Sequence, residues 1–320
     1  MRDVVVIGGG LSGLSAAYEL DKLGAPYTII EVKRRFGGAI GSRAEAGFIM
    51  DASAFAFCQP ALRCLPPEFD FADSILPIGA NAFVFRGGAE SLVRAYASRQ
   101  RGGGLMRMAV SSVGRLRGRF TLCLENGLML DAGALILAVP APYAARMLRN
   151  LAPGATQRLL DFRYDPIRRV SLGYRKRDLP TPLETPRDET FPFVIATDQP
   201  SRVPDRGHLL IQVGFRSTAD LTAEQSIRVV TQHLRARNKP LAARADYWAE
   251  ADLLSDYAED HRECIRQIRA LLPAGLSLIG SDYCSEAPET AGVARLDERI
   301  QLGAQAARDA VRHLQARRKR

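Results

Sequence analysis

Val4-Val5-Val6-Ile7-Gly8-Gly9-Gly10-Leu11-Ser12-Gly13 decides the fold of this chain. A β-branched run leads straight into a glycine turn, and an Ala/Leu-rich stretch over residues 14–23 follows with helical character. A second apolar run, residues 27–30, ends on Glu31, and a glycine pair, Gly37-Gly38, comes shortly after. These are the parts of a dinucleotide-binding β-α-β unit in order. Gly8 permits the tight turn, Gly10 lets a pyrophosphate approach the backbone, and Gly13 lets the helix pack close to the strand. The helix start at Leu11 and Ser12 faces the phosphates with its partial positive charge. Glu31, about 20 residues on, is placed to accept both hydroxyls of an adenosine ribose. Its carboxylate would repel a 2′-phosphate, which speaks against NADP.

The chain has 320 residues, enough for a large core and two domains. The longest apolar run, residues 134–145, is broken by Pro140 and Pro142, so no integral membrane segment is expected. The first apolar stretch enters the glycine turn at once, which predicts no signal peptide and a cytoplasmic location. Five cysteines without a CxxC spacing argue against a disulfide framework and a zinc site. His208, His233, His261 and His313 are scattered, and no metal is expected. The net charge is +9, part of it in the basic tail at residues 312–320. That tail reads as a solvated helix end suited to the helix dipole, with peripheral contact to an acidic lipid surface as the alternative. Basic residues interleaved with aromatics are lacking, so no nucleic acid is expected as partner. The expected partner is a small-molecule substrate.

Along the chain, residues 59–84 read as loop, with Pro60, Pro66, Pro67 and Pro77. Gly87-Gly88 opens a helix to about residue 99. Residues 106–138 read as a meander: a strand at 108–113, then a hairpin of 120–125 and 128–131 about Asn126-Gly127, a type I′ turn signal. A buried strand at 134–139 stops at Pro140. Residues 168–174, 193–197, 209–215 and 243–249 are strand-like, and Thr222-Ala223-Glu224-Gln225 is a capping box opening a helix. The chain then returns with helix 260–271, strand 276–280 and helix 297–314. The expected fold is α/β: a Rossmann-type, discontinuous nucleotide domain (1–58, 85–158 and 255–320), a short cap segment (59–84), and an inserted α+β substrate domain (159–254) of mostly antiparallel sheet.

Several further stretches carry a resemblance. Glu31-Val32-Lys33-Arg34-Arg35-Phe36-Gly37-Gly38 separates an acid from a glycine pair by five residues, and Gly38-Ala39-Ile40-Gly41-Ser42 follows. Gly47-Phe48-Ile49-Met50-Asp51-Ala52-Ser53-Ala54-Phe55, Gly87-Gly88 with Leu92, and Leu137-Ala138-Val139-Pro140 come next in order. Trp248, Tyr257 and His261, then Leu278-Ile279-Gly280-Ser281-Asp282-Tyr283, then Gly303-Ala304-Gln305-Ala306-Ala307 complete the series. Together they resemble the FAD-dependent amine oxidase superfamily, which includes protoporphyrinogen oxidase, phytoene desaturase and renalase.

The resemblance implies FAD as cofactor. Gly8, Gly10, Leu11, Ser12 and Gly13 would hold its pyrophosphate, Glu31 and Val32 its adenosine ribose, and Lys33 its adenosine side. Gly37, Gly38, Ala39 and Ile40 would pass along the ribityl chain, with Ala138 nearby, and the Val110 backbone would meet the adenine. Gly280, Ser281 and Asp282 would reach the pyrophosphate or ribityl end. The terminal helix would aim its start, near Arg299-Ile300, at the flavin O2 edge, where its dipole stabilises negative charge.

Ala39 stands where many relatives carry Arg, and Ser53 where Gly is usual beside the flavin. Ser53, Trp248, Tyr257 and Tyr283 are the cavity candidates. No Ser/His/Asp triad appears, which fits chemistry borne by the flavin. The implied reaction is hydride transfer from a C–N or C–C bond of a small substrate to flavin N5, with dioxygen as acceptor. A renalase-like oxidation of a dihydronicotinamide-type substrate, a flavin-binding partner protein without turnover, and an NAD-dependent dehydrogenase stand as alternatives. Cys284 reads as a small buried residue in a turn, His261 as a surface residue, and Arg168-Arg169 as a solvated strand edge rather than a contact for an acidic substrate.

Overall fold

The computed structural model describes residues 2–183, 188–253 and 259–318. The strand Arg2–Ile7 lies inside a seven-stranded sheet, parallel to Tyr27–Glu31 on one side and Met129–Leu137 on the other. Its β-branched run is unbroken because both faces are covered. Val4 and Val6 pack into one apolar cluster with the helix Leu11–Lys22 and residues of the terminal helix Asp297–Arg318. Val5 and Ile7 pack into another with residues of helices Ala141–Leu148, Pro153–Leu160 and Glu259–Leu271. Helices on both faces of a largely parallel sheet make this a doubly wound α/β arrangement.

Met129–Leu137 does two jobs. Its first half pairs antiparallel with Arg119–Leu124, and its second half pairs parallel with the short strand Leu276–Leu278. The expected strand at 108–113 resolves into two. Gly103–Met106 pairs parallel with Tyr27–Glu31, and Val110–Leu116 pairs with Arg119–Leu124. Arg107, at φ 54°, turns the chain between them. The hairpin about Asn126-Gly127 forms, but not as a type I′ turn. Gly127 has positive φ (82°) whereas Asn126 does not, and Gly127 N–H donates to Leu124 O at 2.9 Å. The third loop residue, glycine, therefore takes the left-handed position.

A second sheet, ordered Phe193–Thr197, His208–Phe215, Tyr164–Arg175, Ala242–Leu253, is antiparallel throughout. The helix Ala223–His233 covers it, and the expected capping box is present: Thr222 Oγ1 accepts from Gln225 N–H at 3.2 Å, and Gln225 Oε1 from Thr222 N–H at 2.8 Å.

Residues 59–84 are not loop. They form 3-10 turns at Gln59–Cys64, Pro67–Phe69 and Ala72–Ser74, then a hairpin of Ile75–Ile78 and Ala82–Phe85. The prolines misled because each sits where no N–H is needed: Pro60 and Pro67 in first turns, Pro77 in an edge strand. This hairpin joins a five-stranded sheet with Ala56–Cys58 and the late hairpin Glu289–Thr290/Val293–Ala294. Among the described residues no helix is long and apolar enough to cross a membrane.

Candidate cofactor and substrate site

The glycines of the opening turn divide by what they face. A Cβ on Gly8 (φ 100°) would lie 2.3 Å from Ala138 O, and one on Gly13 would lie 1.9 Å from Gly8 O. Both are demanded by packing of strand, turn and helix. Gly10 differs. Its φ is −73°, which any residue adopts, and the nearest atom to an added Cβ is Gly38 Cα at 3.8 Å. Gly10 and Gly38 thus form the two lips of a cleft, and Gly37 N–H donating to Gly9 O at 2.7 Å ties the two loops together. The helix Leu11–Lys22 starts beside this cleft with no side-chain cap and no acid in its first turn. Its first N–H groups are the orphan donors of a helix start, and they fit a diphosphate.

Glu31, 5% exposed, closes the cleft's other end. Its Oε2 accepts from Gly9 N–H at 2.7 Å and its Oε1 from Lys33 N–H at 2.8 Å. Two backbone donors fix the carboxylate and leave lone pairs for a ribose diol. Lys33 Nζ donates to Gly38 O at 3.2 Å and lies 5.7 Å from the Trp248 ring. Val32 points out to solvent, whereas Val110 is buried just beyond Met108, whose N–H donates to Glu31 O at 3.1 Å. Ala138 N–H continues the ladder to Ile7 O at 2.7 Å.

A cavity of about 130 Å³ opens at the far side of Gly38. It brings together Ala39, Ile40, Ser53, Trp248 and Ser281 from the residues named on sequence grounds. Ser281–Tyr283 is one 3-10 turn, so successive side chains leave it about 120° apart. Ser281 faces the cavity. Asp282 points instead at the start of the helix Ala141–Leu148, its Oδ2 accepting from Ala141 N–H at 2.8 Å and from Tyr164 Oη–H at 2.5 Å. Tyr283 points into the core and donates to Val139 O at 3.1 Å, so it does not line the cavity. Gly280, at φ 140°, precedes this turn, and Ile300 is buried in the core under the terminal helix. Tyr257 lies outside the described residues.

The loop 51–53 beside the cavity is pinned from three directions. Gln212 Nε2 donates to Asp51 O at 3.1 Å and to Ser53 O at 2.9 Å, and Trp248 Nε1 donates to Ala52 O at 2.8 Å. The Asp51 carboxylate meets Arg202 at 2.7 Å with both side chains 0% exposed, and also accepts from Ala89 N–H at 2.9 Å.

Three charged residues of the cavity wall escaped the sequence reading as wall residues, Arg169, Glu250 and Glu289, while Arg299, named on sequence grounds at the start of the terminal helix, joins them in the wall. Arg169 is the clearest correction. It is 5% exposed rather than on a solvated edge, because Tyr164–Arg175 is an inner strand between two neighbours. His261 is corrected likewise: it is buried, with Nε2 3.1 Å from Cys284 O. Cys284 is buried as expected, and burial pushes its thiol up to about 12, which leaves it inert.

Burial also raises the Asp282 carboxyl above its ordinary value, against the opposing pull of the Tyr164 and Ala141 donors. The folded chain therefore holds this proton more tightly than the unfolded chain. The contribution to stability is full below the ordinary carboxylate pKa and is lost as pH rises through the folded value. Asp282→Asn removes that dependence. Thermal melts at a series of pH values should show the variant gaining on the parent as pH rises from the acid side. A constant difference would mean that Asp282 does not titrate this way.

A glycine cleft, a helix start and a ribose-ready acid define a dinucleotide-binding fold. Residues 6–65 match the family model of NAD(P)-binding Rossmann-like domains, and residues 53–253 match that of flavin-containing amine oxidoreductases. The second match covers more than half of the chain, which belongs to the flavin-containing amine oxidoreductase family. Its cofactor is FAD.

Over 106 residues (30% of this chain, 23% of the relative) it is 28% identical to a protein assigned as flavin-containing monoamine oxidase A of Dictyostelium discoideum. Over 78 residues (24% and 15%) it is 31% identical to coproporphyrinogen III oxidase of Propionibacterium freudenreichii subsp. freudenreichii. The matched segments thus span less than a quarter of either relative. Among solved structures, the fold is shared with a protein assigned as protoporphyrinogen oxidase from Exiguobacterium sp. 255-15 (TM-score 0.74, 13% identity, 98% of this chain and 99% of that one). It is shared also with a putrescine oxidase bound to putrescine (TM-score 0.69, 13% identity, 97% and 99%).

Proposed function

We propose that this chain is an oxidase that removes a hydride from a C–N or C–C bond of a small substrate, with dioxygen as the final acceptor. The observation that carries the reading is the continuity of one short stretch. Gly38 faces Gly10 across the diphosphate cleft, and the next two residues, Ala39 and Ile40, line the cavity. A dinucleotide held in the cleft is thereby led into the cavity. Bound FAD supplies the hydride acceptor at its N5 atom. The protein's part is binding and placement. The helix start holds the diphosphate, Glu31 orients the ribose, and Ser53, Trp248 and Ser281 shape the space in which a substrate is oriented and kept from water. In this reading residues 1–58, 85–158 and 255–320 serve the cofactor, and 159–254 roof the substrate.

A visible absorption spectrum of the purified protein, with acid release of its pigment, tests the reading. Oxidised-flavin bands, FAD in the supernatant and bleaching by a substrate without oxygen are expected. A colourless chain that takes up no added FAD overturns it. A yellow chain that no C–N or C–C donor reduces would favour a flavin-binding partner without turnover.

A further inference from the structure

We propose that this cavity binds the carboxylate of an acidic substrate through Arg169. The inference rests on the oxidase reading of the same cavity and names its substrate class. Arg169 enters from the middle of the antiparallel sheet, 5% exposed, beneath the Phe193 ring at 5.1 Å. One arm of its guanidinium, Nη2, is held by Glu289 at 2.5 Å. The other arm, Nη1, is covered and has no hydrogen-bond partner among the described residues. A buried N–H without an acceptor is costly, and proteins rarely leave one without a reason. The free arm of the guanidinium offers a charge-assisted donor, for which the oxygen of a carboxylate is a fitting acceptor.

Arg299, also in the cavity wall, supports the same conclusion. It projects from the first turn of the terminal helix, and its Nε is likewise covered and without a partner. Burial lowers its pKa, and it is close enough to Arg169 for the two charges to repel. Glu289 pairs with Arg169 and also acts on Arg299, Asp297 adds a second negative charge near Arg299, and Glu250, the other acid of the wall, accepts from Tyr143 Oη–H at 3.0 Å. An anionic group brought by a ligand would satisfy both covered donors and relieve the repulsion.

The test titrates benzoate into the purified flavin-loaded protein, with benzyl alcohol as the uncharged control. Two signals are read, the flavin difference spectrum and the fluorescence of Trp248, the one tryptophan of the chain and a wall of the cavity. Benzoate should bind saturably and at least tenfold more tightly than benzyl alcohol. Arg169→Met should weaken it by tenfold or more. Glu289→Gln, which frees the second arm of Arg169, should tighten it severalfold. A purely structural role for the pair would move both variants in the same direction. If Arg169→Met does not fold, the double variant R169M/E289Q, which strands no charge, carries the loss arm.

Equal binding of benzoate and benzyl alcohol, or a shift of both single variants in one direction, overturns the proposal. Failure of the oxidase reading looks different. Protein purified without flavin whose Trp248 still responds to benzoate keeps the carboxylate site and loses the oxidase. A flavin-loaded protein reduced by neutral amines and blind to benzoate does the reverse.

Discussion

Arg202→Met is expected to destabilise the protein by about 3–5 kcal/mol, the cost of leaving a buried charge without its partner. Arg202 is 0% exposed, pairs with Asp51 at 2.7 Å, donates to Phe85 O at 3.0 Å and sits 5.6 Å from the Phe55 ring. Methionine fills much of the space but leaves the Asp51 carboxylate with only its Ala89 and Ser42 donors. Denaturant titration reads the loss directly. The double variant D51N/R202M strands no charge and should recover part of it, so the two substitutions should not add. FAD affinity should fall with Arg202→Met as well, because Asp51 begins the loop that carries Ser53 to the cavity. An unchanged midpoint would show that the ion pair contributes little.

Gly10→Asp should give a folded protein that purifies without flavin. The space next to Gly10 is open, its backbone is ordinary, and aspartate is a favoured helix N-cap, so folding should not suffer. The new carboxylate would occupy the cleft, consume the helix-start donors and repel the diphosphate. Losing one or two charge-assisted hydrogen bonds of about 1.5–3 kcal/mol each lowers affinity by roughly tenfold or more. Gly13→Asp, three residues further along, should instead fail to fold, since its Cβ would meet Gly8 O at 1.9 Å. Circular dichroism and the visible spectrum together separate the outcomes. A yellow Gly10→Asp protein would show that the cleft does not hold the diphosphate.

The cofactor end of the molecule was legible because its chemistry is written in consecutive residues. A strand, a glycine turn, a helix and Glu31 follow one another, and local geometry leaves them one arrangement. The substrate end was not. Arg169 looks like any charged strand residue until the strand order puts Tyr164–Arg175 between two neighbours. Glu289 matters only because its hairpin docks beside Ala56–Cys58, a pairing between distant parts of the chain that no local pattern announces. Tyr283 was an aromatic residue beside a glycine turn, and only the pitch of that turn decides that Ser281, not Tyr283, meets the cavity. Residues 59–84 misled for the opposite reason: prolines tolerated in 3-10 turns and an edge strand look the same as prolines in a loop.

The cavity walls come from four stretches far apart in the chain, residues 39–57, 169, 248–251 and 281–299, which meet where the four-stranded and five-stranded sheets and the start of the terminal helix come together. Each must be brought to the others across long intervening chain, and such closures are slow compared with forming a helix or hairpin. The pocket is therefore a late product of folding. During refolding, helix and sheet signals should return before Trp248 regains its native emission. The last 40 or so residues serve both ends of the molecule, since Ser281 to Arg299 complete the pocket wall and the helix that follows packs on Leu11–Lys22 beside the glycine turn.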